Sequence, residues 1–301
     1  MIFLYIFLIL ILVYLLFILY ISLKKKELNM FGFNFLKYLL KPIVKFLYPY
    51  KIINKKYSKV EGPVILAGNH LHIMDQCLPL IVVDRPVHYM AKMEYFKNKS
   101  VSWFFKMAGC IPVNREIKDE HAKEESLNVL NEGKAFGIFP EGTRNALCSK
   151  ELEVNKWYKL YENKITKEEF VKILKKNKVR LSSVNFLNSL VEKNIITKSD
   201  LKNNLLNANY YVKDLYKKNI ITEEEYKNSL LLPFKFGAVS MAKKTNALIL
   251  PFCITGNYKF RSKNLKVTFL KPFKITSDDL EKENKKLHDM IAETIMKEEM
   301  K

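Results

Sequence analysis

EGPVILAGNHLHIMDQC, residues 61–77, decides how the chain is read. The apolar run after Gly62 reads as a short buried strand. The residues that follow place two polar groups, His70 and Asp75, five positions apart. Within one regular helix they would not share a face, because five residues at about 100° each turn the second about 140° from the first. They can meet if His70 sits in the loop after the strand and Asp75 in the first turns of the next helix. A carboxylate placed so can hold one imidazole nitrogen and leave the other to accept a proton. The bland alternative is a structural histidine at the end of a buried strand, and the pair alone does not decide between them.

The remaining chain supplies the context. At 301 residues, 49% hydrophobic and 27% charged, it is long enough for one large or two small globular domains. Nine glycines argue against glycine-rich nucleotide loops. The four cysteines, Cys77, Cys110, Cys148 and Cys253, form no C-x-x-C, so neither a zinc ribbon nor a disulfide framework is expected. A net charge of +20, mostly lysine, calls for an anionic partner: nucleic acid, anionic lipid or a phosphorylated substrate.

Residues 2–23 carry no charge. At about 1.5 Å per residue they reach about 33 Å, enough for a hydrocarbon core of about 30 Å. A signal peptide fits less well, because no basic region precedes the run and no small-x-small site follows it. Residues 1–23 are therefore expected to be a transmembrane helix. Ten lysines and a single acid, Glu27, between 24 and 60 place the rest on the cytoplasmic side. Residues 30–52 mix aromatics, leucines and lysines and read as an amphipathic helix in the membrane interface, kinked at Pro42, within a region spanning 24–58. The same pattern would also serve a core helix. Lysines beside anionic lipid account for the charge without nucleic acid.

From residue 59, strands and helices alternate. Strands are expected at 62–68, 85–92, 247–256 and 265–273, a short strand or extended turn at 110–116, a strand running into a turn at 134–145, and helices at 94–109, 118–133, 234–246 and from 277 on. That order argues an α/β fold with a mixed, largely parallel sheet flanked by helices. Residues 147–229 differ. They lack strand-like runs and repeat one pattern, NKITKEEF (163–170), NIITKSDL (194–201) and NIITEEEY (219–226). Each has a threonine followed three residues later by an acid, the signature of a helix N-cap box. The segment reads as an inserted all-helical module, and weakly resembles the short helical-hairpin units found at protein C-termini.

FPEGTRN, residues 139–145, sets an acid, a glycine, a hydroxyl and an arginine directly after an apolar strand. Gly142 permits a tight turn with backbone N–H groups facing an anion, and Arg144 can fork onto phosphate oxygens. Arg115, in GCIPVNRE, is a second candidate fork, and ILPFCITG adds a strand broken by Pro251.

The ordered set of His-x4-Asp, Gly-x-x-Pro-Val-x-Arg, Phe-Pro-Glu-Gly-Thr-Arg and an apolar strand with proline resembles the four blocks of the 1-acylglycerol-3-phosphate acyltransferase family. The resemblance covers about 59–146 and 229–275. It implies a glycerolipid acyltransferase domain over 59–301, interrupted by 147–229. It further implies His70 as general base, Asp75 as its orienting partner, Arg115, Glu141, Gly142, Thr143 and Arg144 at the acceptor's glycerol phosphate, and Pro251 in acyl or acceptor support. The donor would be acyl-CoA or acyl-carrier protein and the product phosphatidate. Glycerol-3-phosphate and other lysolipids stay open as acceptors. No cofactor, metal or nucleic acid is expected; His70 and His72 lack a third ligand. A membrane-anchored nucleic-acid binder would explain the charge but not the order of motifs. Three departures from the family stand out, the first being His72 where a small polar residue is common. Asn145 occupies a position where serine is usual, and the helical module interrupts what is normally a short join to LLLPFKFGA.

Overall fold

The structure is a computed structural model; it describes residues 2–24, 30–114, 116, 117 and 119–301, and for 2–4, 18, 21–24, 30 and 31 the backbone alone. The chain forms two compact units. One comprises residues 1–67, 74–138 and 238–276, the other 68–73, 139–237 and 277–301.

The first unit is built on an eight-stranded sheet. Its strands are β1 (Tyr50–Ile53), β2 (Val64–Gly68), β3 (Val87–Lys92), β4 (Ile111–Val113), β5 (Ala135–Ile138), β6 (Leu248–Thr255), β7 (Leu265–Phe269) and β8 (Phe273–Lys274). The order is β1-β7-β6-β2-β5-β3-β4, with β8 beside β6. β2 and β3 pair parallel with β5, β4 with β3 and β1 with β7, while β7 and β8 pair antiparallel with β6. The sheet is thus mixed and largely parallel, as expected. Every residue of β2 is buried, which explains why its sequence is apolar without alternation. Gly137 in β5 faces Tyr89 in β3, and a Cβ there would fall 2.1 Å from the Tyr89 ring, so the glycine is what lets that ring lie flat on the sheet.

Several elements differ from the sequence expectation. Residues 94–109 form two helices, Met93–Lys97 and Lys99–Met107, because Asn98 leaves the helical path and its side chain caps the second by accepting from the Ser100 N–H. The run 265–273 is likewise two strands, β7 and β8. Pro251 does not break β6. The strand pairs with β8 at Leu248 and Ile249 and with β7 from Phe252 to Thr255, so the proline falls where the partner changes.

The N-terminal expectation is only partly met. Residues 30–52 are not one helix: Met30–Leu47 is helical with Pro42 inside it, and Tyr50–Ile53 is β1. Phe33, Leu36 and Val44 on that helix are buried, and the ammonium of the nearly buried Lys37 bonds the Val83 carbonyl and Asp84 at 2.7 and 2.9 Å. That is the packing of a core helix, although Ile43 and Phe46 remain exposed. Residues 2–24 are helical. Among the described residues, however, no helix is long and apolar enough to cross a membrane, so the transmembrane reading gains no support here.

The second unit is helical. Between 147 and 229 run the helices Glu151–Tyr158, Lys167–Asn177, Leu181–Glu192, Lys198–Asn204, Ala208–Lys217 and Glu223–Leu230, and Leu280–Glu299 joins them in the same unit. Thr166, Thr197 and Thr222 each form a complete capping box with the acid three residues on. The Asn-Ile-Ile-Thr pattern now has a physical reading. Asn194 and Asn219 take the left-handed conformation that ends one helix, at φ 56° and 57°. The second isoleucine, Ile196 or Ile221, is buried as an anchor, while the first stays exposed. The threonine then opens the next helix.

Candidate functional site

Each unit carries part of the predicted site. In the helical unit, the chain leaving β2 passes the buried Asn69 to His70. The His70 peptide is held at both of its polar groups. Its N–H donates to Glu141 Oε1 at 2.8 Å, and its carbonyl accepts from the Asn145 N–H at 2.7 Å. Its ring stacks on Phe139, with centroids 4.2 Å apart and planes 18° from parallel. Glu141 is 3% exposed, and its second oxygen accepts the Leu232 N–H at 2.9 Å. The predicted acceptor-binding carboxylate is therefore used, within this unit, to fix the backbone of the predicted base.

The turn Phe139–Gly142 is closed by the Gly142 N–H on the Phe139 carbonyl at 2.9 Å. Gly142 has φ +68°, a conformation that favours glycine. A Cβ there would also lie 2.7 Å from Cε of Lys235, whose side chain runs across the glycine and whose N–H bonds the Pro140 carbonyl at 2.8 Å. The Lys150 ammonium bonds Thr143 Oγ1. Arg144 comes next in the chain and, with Lys175, is close enough to act electrostatically on the Cys148 thiol. Lys150 and Lys235 thus border one glycine turn that Arg144 follows in the chain, a setting suited to a phosphate. Lys150 and Lys235 escaped the sequence reading, since one lysine among so many carries no signal of its own.

In the α/β unit, Asp75 is fully buried just before the helix Cys77–Val82. Its Oδ1 accepts a hydrogen bond from the Tyr258 hydroxyl at 2.8 Å. Burial and then the Asp75 charge push the Tyr258 hydroxyl far above the usual phenol range, so it stays a donor. The Tyr258 ring packs edge-on against Tyr48, with centroids 5.4 Å apart. Tyr258 follows β6 by three residues, and its distance from Asp75 along the chain gave no sign of the contact. The same burial, with Asp75 secondary, pushes the Cys77 thiol up to about 11, and burial pushes Cys110 up to about 12. Both remain thiols near neutral pH and are poor nucleophiles. Pro251 is buried in β6, its carbonyl accepting the Leu270 N–H at 2.9 Å.

Arg115 lies outside the described residues. Next to it in sequence, the Asn114 N–H bonds Asp119 Oδ2 at 2.8 Å, and Asp119 caps the helix Glu120–Asn131. His72 is half-buried in the segment that carries His70. Among the described residues no three His, Cys, Asp or Glu side chains gather into a set that could hold a metal.

Comparison with known proteins matches residues 50–255 to the family described as Acyltransferase. A protein of Bacillus subtilis (strain 168) named 1-acyl-sn-glycerol-3-phosphate acyltransferase is 33% identical over 97 residues, 32% of this chain and 49% of that protein. A protein of the same name from Borreliella burgdorferi is 37% identical over 84 residues, 27% of this chain and 34% of the other. The chain therefore spans half or less of the length of these relatives. The crystal structure of the 1-acyl-sn-glycerophosphate (LPA) acyltransferase PlsC from Thermotoga maritima superposes with a TM-score of 0.53. It covers 99% of this chain and 95% of that one at 18% identity, which makes it a likeness of fold.

Proposed function

The chain belongs to the acyltransferase family that includes the 1-acyl-sn-glycerol-3-phosphate acyltransferases, and from that premise we propose that it moves a fatty acyl group from an acyl thioester to the free hydroxyl of 1-acylglycerol-3-phosphate, giving phosphatidate. His70 takes the hydroxyl proton as the oxygen attacks the thioester carbonyl, and Asp75 orients the imidazole. The new C–O bond forms, the C–S bond breaks, and the departing thiolate takes the proton back from His70. No acyl-enzyme is needed. Arg144, with Lys150 and Lys235, takes the acceptor's phosphate over the Gly142–Thr143 turn. Arg115 is proposed as a further phosphate contact and Pro251 as support for the acyl or acceptor site, both on sequence grounds. Glu141 serves by holding the His70 peptide. The thioester, acyl-CoA or acyl-carrier protein, is a co-substrate, and the reaction requires no cofactor.

The observation that carries this reading is the hydrogen bond between Glu141 and the His70 N–H, which brings the Phe-Pro-Glu-Gly-Thr-Arg block to the histidine of His-x4-Asp. Membrane attachment through residues 1–23, with the rest on the cytoplasmic side, is proposed from the uncharged run and the lysines after it; the exposed apolar side chains from Tyr5 to Phe17 support it. The test is a lipid-product assay on the purified chain, offering lysophosphatidate, glycerol-3-phosphate and lysophosphatidylcholine with each donor. Phosphatidate from lysophosphatidate is the expected product. Acylation of glycerol-3-phosphate alone would reassign the acceptor, and no acylation of any of the three would defeat the reading.

A further inference from the structure

Asn145 is 1% exposed and takes part in five hydrogen bonds, all within the helical unit. Its N–H donates to the His70 carbonyl at 2.7 Å, and its carbonyl accepts the Leu181 N–H at 3.0 Å. Its side-chain Oδ1 accepts the Ser182 N–H at 2.9 Å. Its Nδ2 donates to Ser182 Oγ at 3.0 Å and to the Leu230 carbonyl at 3.1 Å. Ser182 Oγ in turn donates to the Ser229 carbonyl at 2.8 Å, and both serines are buried. One amide therefore grips the start of the helix Leu181–Glu192 and the end of the helix Glu223–Leu230, while its own backbone holds His70. Glu141 does the same in parallel, taking the His70 N–H on one oxygen and the Leu232 N–H on the other.

We propose that Asn145 is a positioning residue for the base: it ties the helices of the 147–229 segment to the His70 loop, so that the geometry of His70 depends on that segment. The inference rests on His70 as general base. It explains why asparagine occupies a position where the family resemblance leads one to expect serine. A serine hydroxyl offers one donor on a shorter arm, whereas the asparagine amide has two donors and an acceptor in a plane, all used here. A buried polar network with every member satisfied is stiff, and losing one member frees the loop it holds.

The experiment uses the full chain with Asn145→Ser and, separately, Ser182→Ala, which leaves the His70 loop and the glycine turn untouched. Turnover with lysophosphatidate is measured alongside hydrogen–deuterium exchange of the peptide spanning His70, at a temperature where far-UV circular dichroism shows every variant folded. The coupling predicts a fall in kcat of about 10- to 100-fold, the scale of losing precise placement of a reacting group. Both KM values should stay within about twofold, as placement of the base and not binding is altered. Exchange at the His70 N–H should accelerate in both variants. Unchanged exchange with unchanged kcat overturns the proposal, and so does a rise in acceptor KM at constant kcat, which would make Asn145 a substrate contact. Should the unaltered chain transfer no acyl group, the acyltransferase reading fails by itself. The exchange rates alone then decide the coupling, and unchanged rates overturn it.

Discussion

Tyr258→Phe removes the hydroxyl that donates to Asp75, a carboxylate with no exposure to water. A hydrogen bond to a buried charge contributes about 1.5–3 kcal/mol. The variant should show a lower denaturant midpoint by that order in an equilibrium unfolding titration, with an unchanged slope. A midpoint equal to the parent's would mean that Asp75 does not depend on Tyr258. His70→Ala tests the chemistry more directly: acyl transfer should fall about 10²- to 10⁴-fold, the usual cost of losing a general base, while unfolding and vesicle binding stay unchanged. Near-normal turnover would refute the mechanism. At this scale the sequence was legible where spacing carries information. His70, Asp75 and the Glu141–Arg144 block stand out by their order. Tyr258, 183 residues from Asp75, does not, because no local rule links a tyrosine after one strand to an aspartate after another.

The helical segment depends on its three capping boxes. Thr166, Thr197 and Thr222 each accept the N–H of the acid three residues on, and each acid returns to the threonine's N–H. Replacing any one threonine with alanine should cost about 1 kcal/mol, read as a lower melting midpoint by circular dichroism. No shift at any of the three would show that tertiary packing alone holds the segment. A second element-scale prediction concerns the last helix. Glu299 pairs with the buried Arg180 at 2.5 Å and accepts from the Tyr226 hydroxyl at 2.9 Å. Burial works to raise its carboxyl, but the Arg180 charge and these hydrogen bonds outweigh burial and hold it below the usual glutamate range. A depressed carboxyl contributes stability that is present above its ordinary value, about 4.5, and is lost as pH falls through the folded value. The parent should thus be more stable than Glu299→Gln near neutral pH, and the two melting curves should converge in acid. A difference independent of pH would contradict the pairing. Elements were legible wherever a cap or a continuous apolar run announced them. They were misread where one stop hid inside a longer pattern, as at Asn98 and at Pro49, which separates the helix Met30–Leu47 from the strand Tyr50–Ile53.

For the whole molecule, the proposed contact with anionic lipid draws on the charge of +20 and on the exposed Ile43 and Phe46 beside Lys41 and Lys45. Cosedimentation with anionic vesicles should be strong at low salt and weaken as salt is raised. A variant lacking residues 2–23 should bind less tightly without losing that salt-sensitive component. A truncated chain that ignores anionic vesicles at low salt would refute lipid contact by the body of the protein. The sequence by itself determined the α/β class, the order of the motif blocks, the helical character of 147–229 and its threonine caps, because these depend on periodicity and on contacts a few residues apart. Only the tertiary structure decided that Glu141 serves the His70 backbone, that Tyr258 holds Asp75, that Pro251 sits where β6 changes partner, and that Asn145 joins helices 37 and 85 residues away to the His70 loop. Each of these joins groups far apart along the chain, and such contacts exist only once the core has packed and each buried donor and acceptor has had to find a partner.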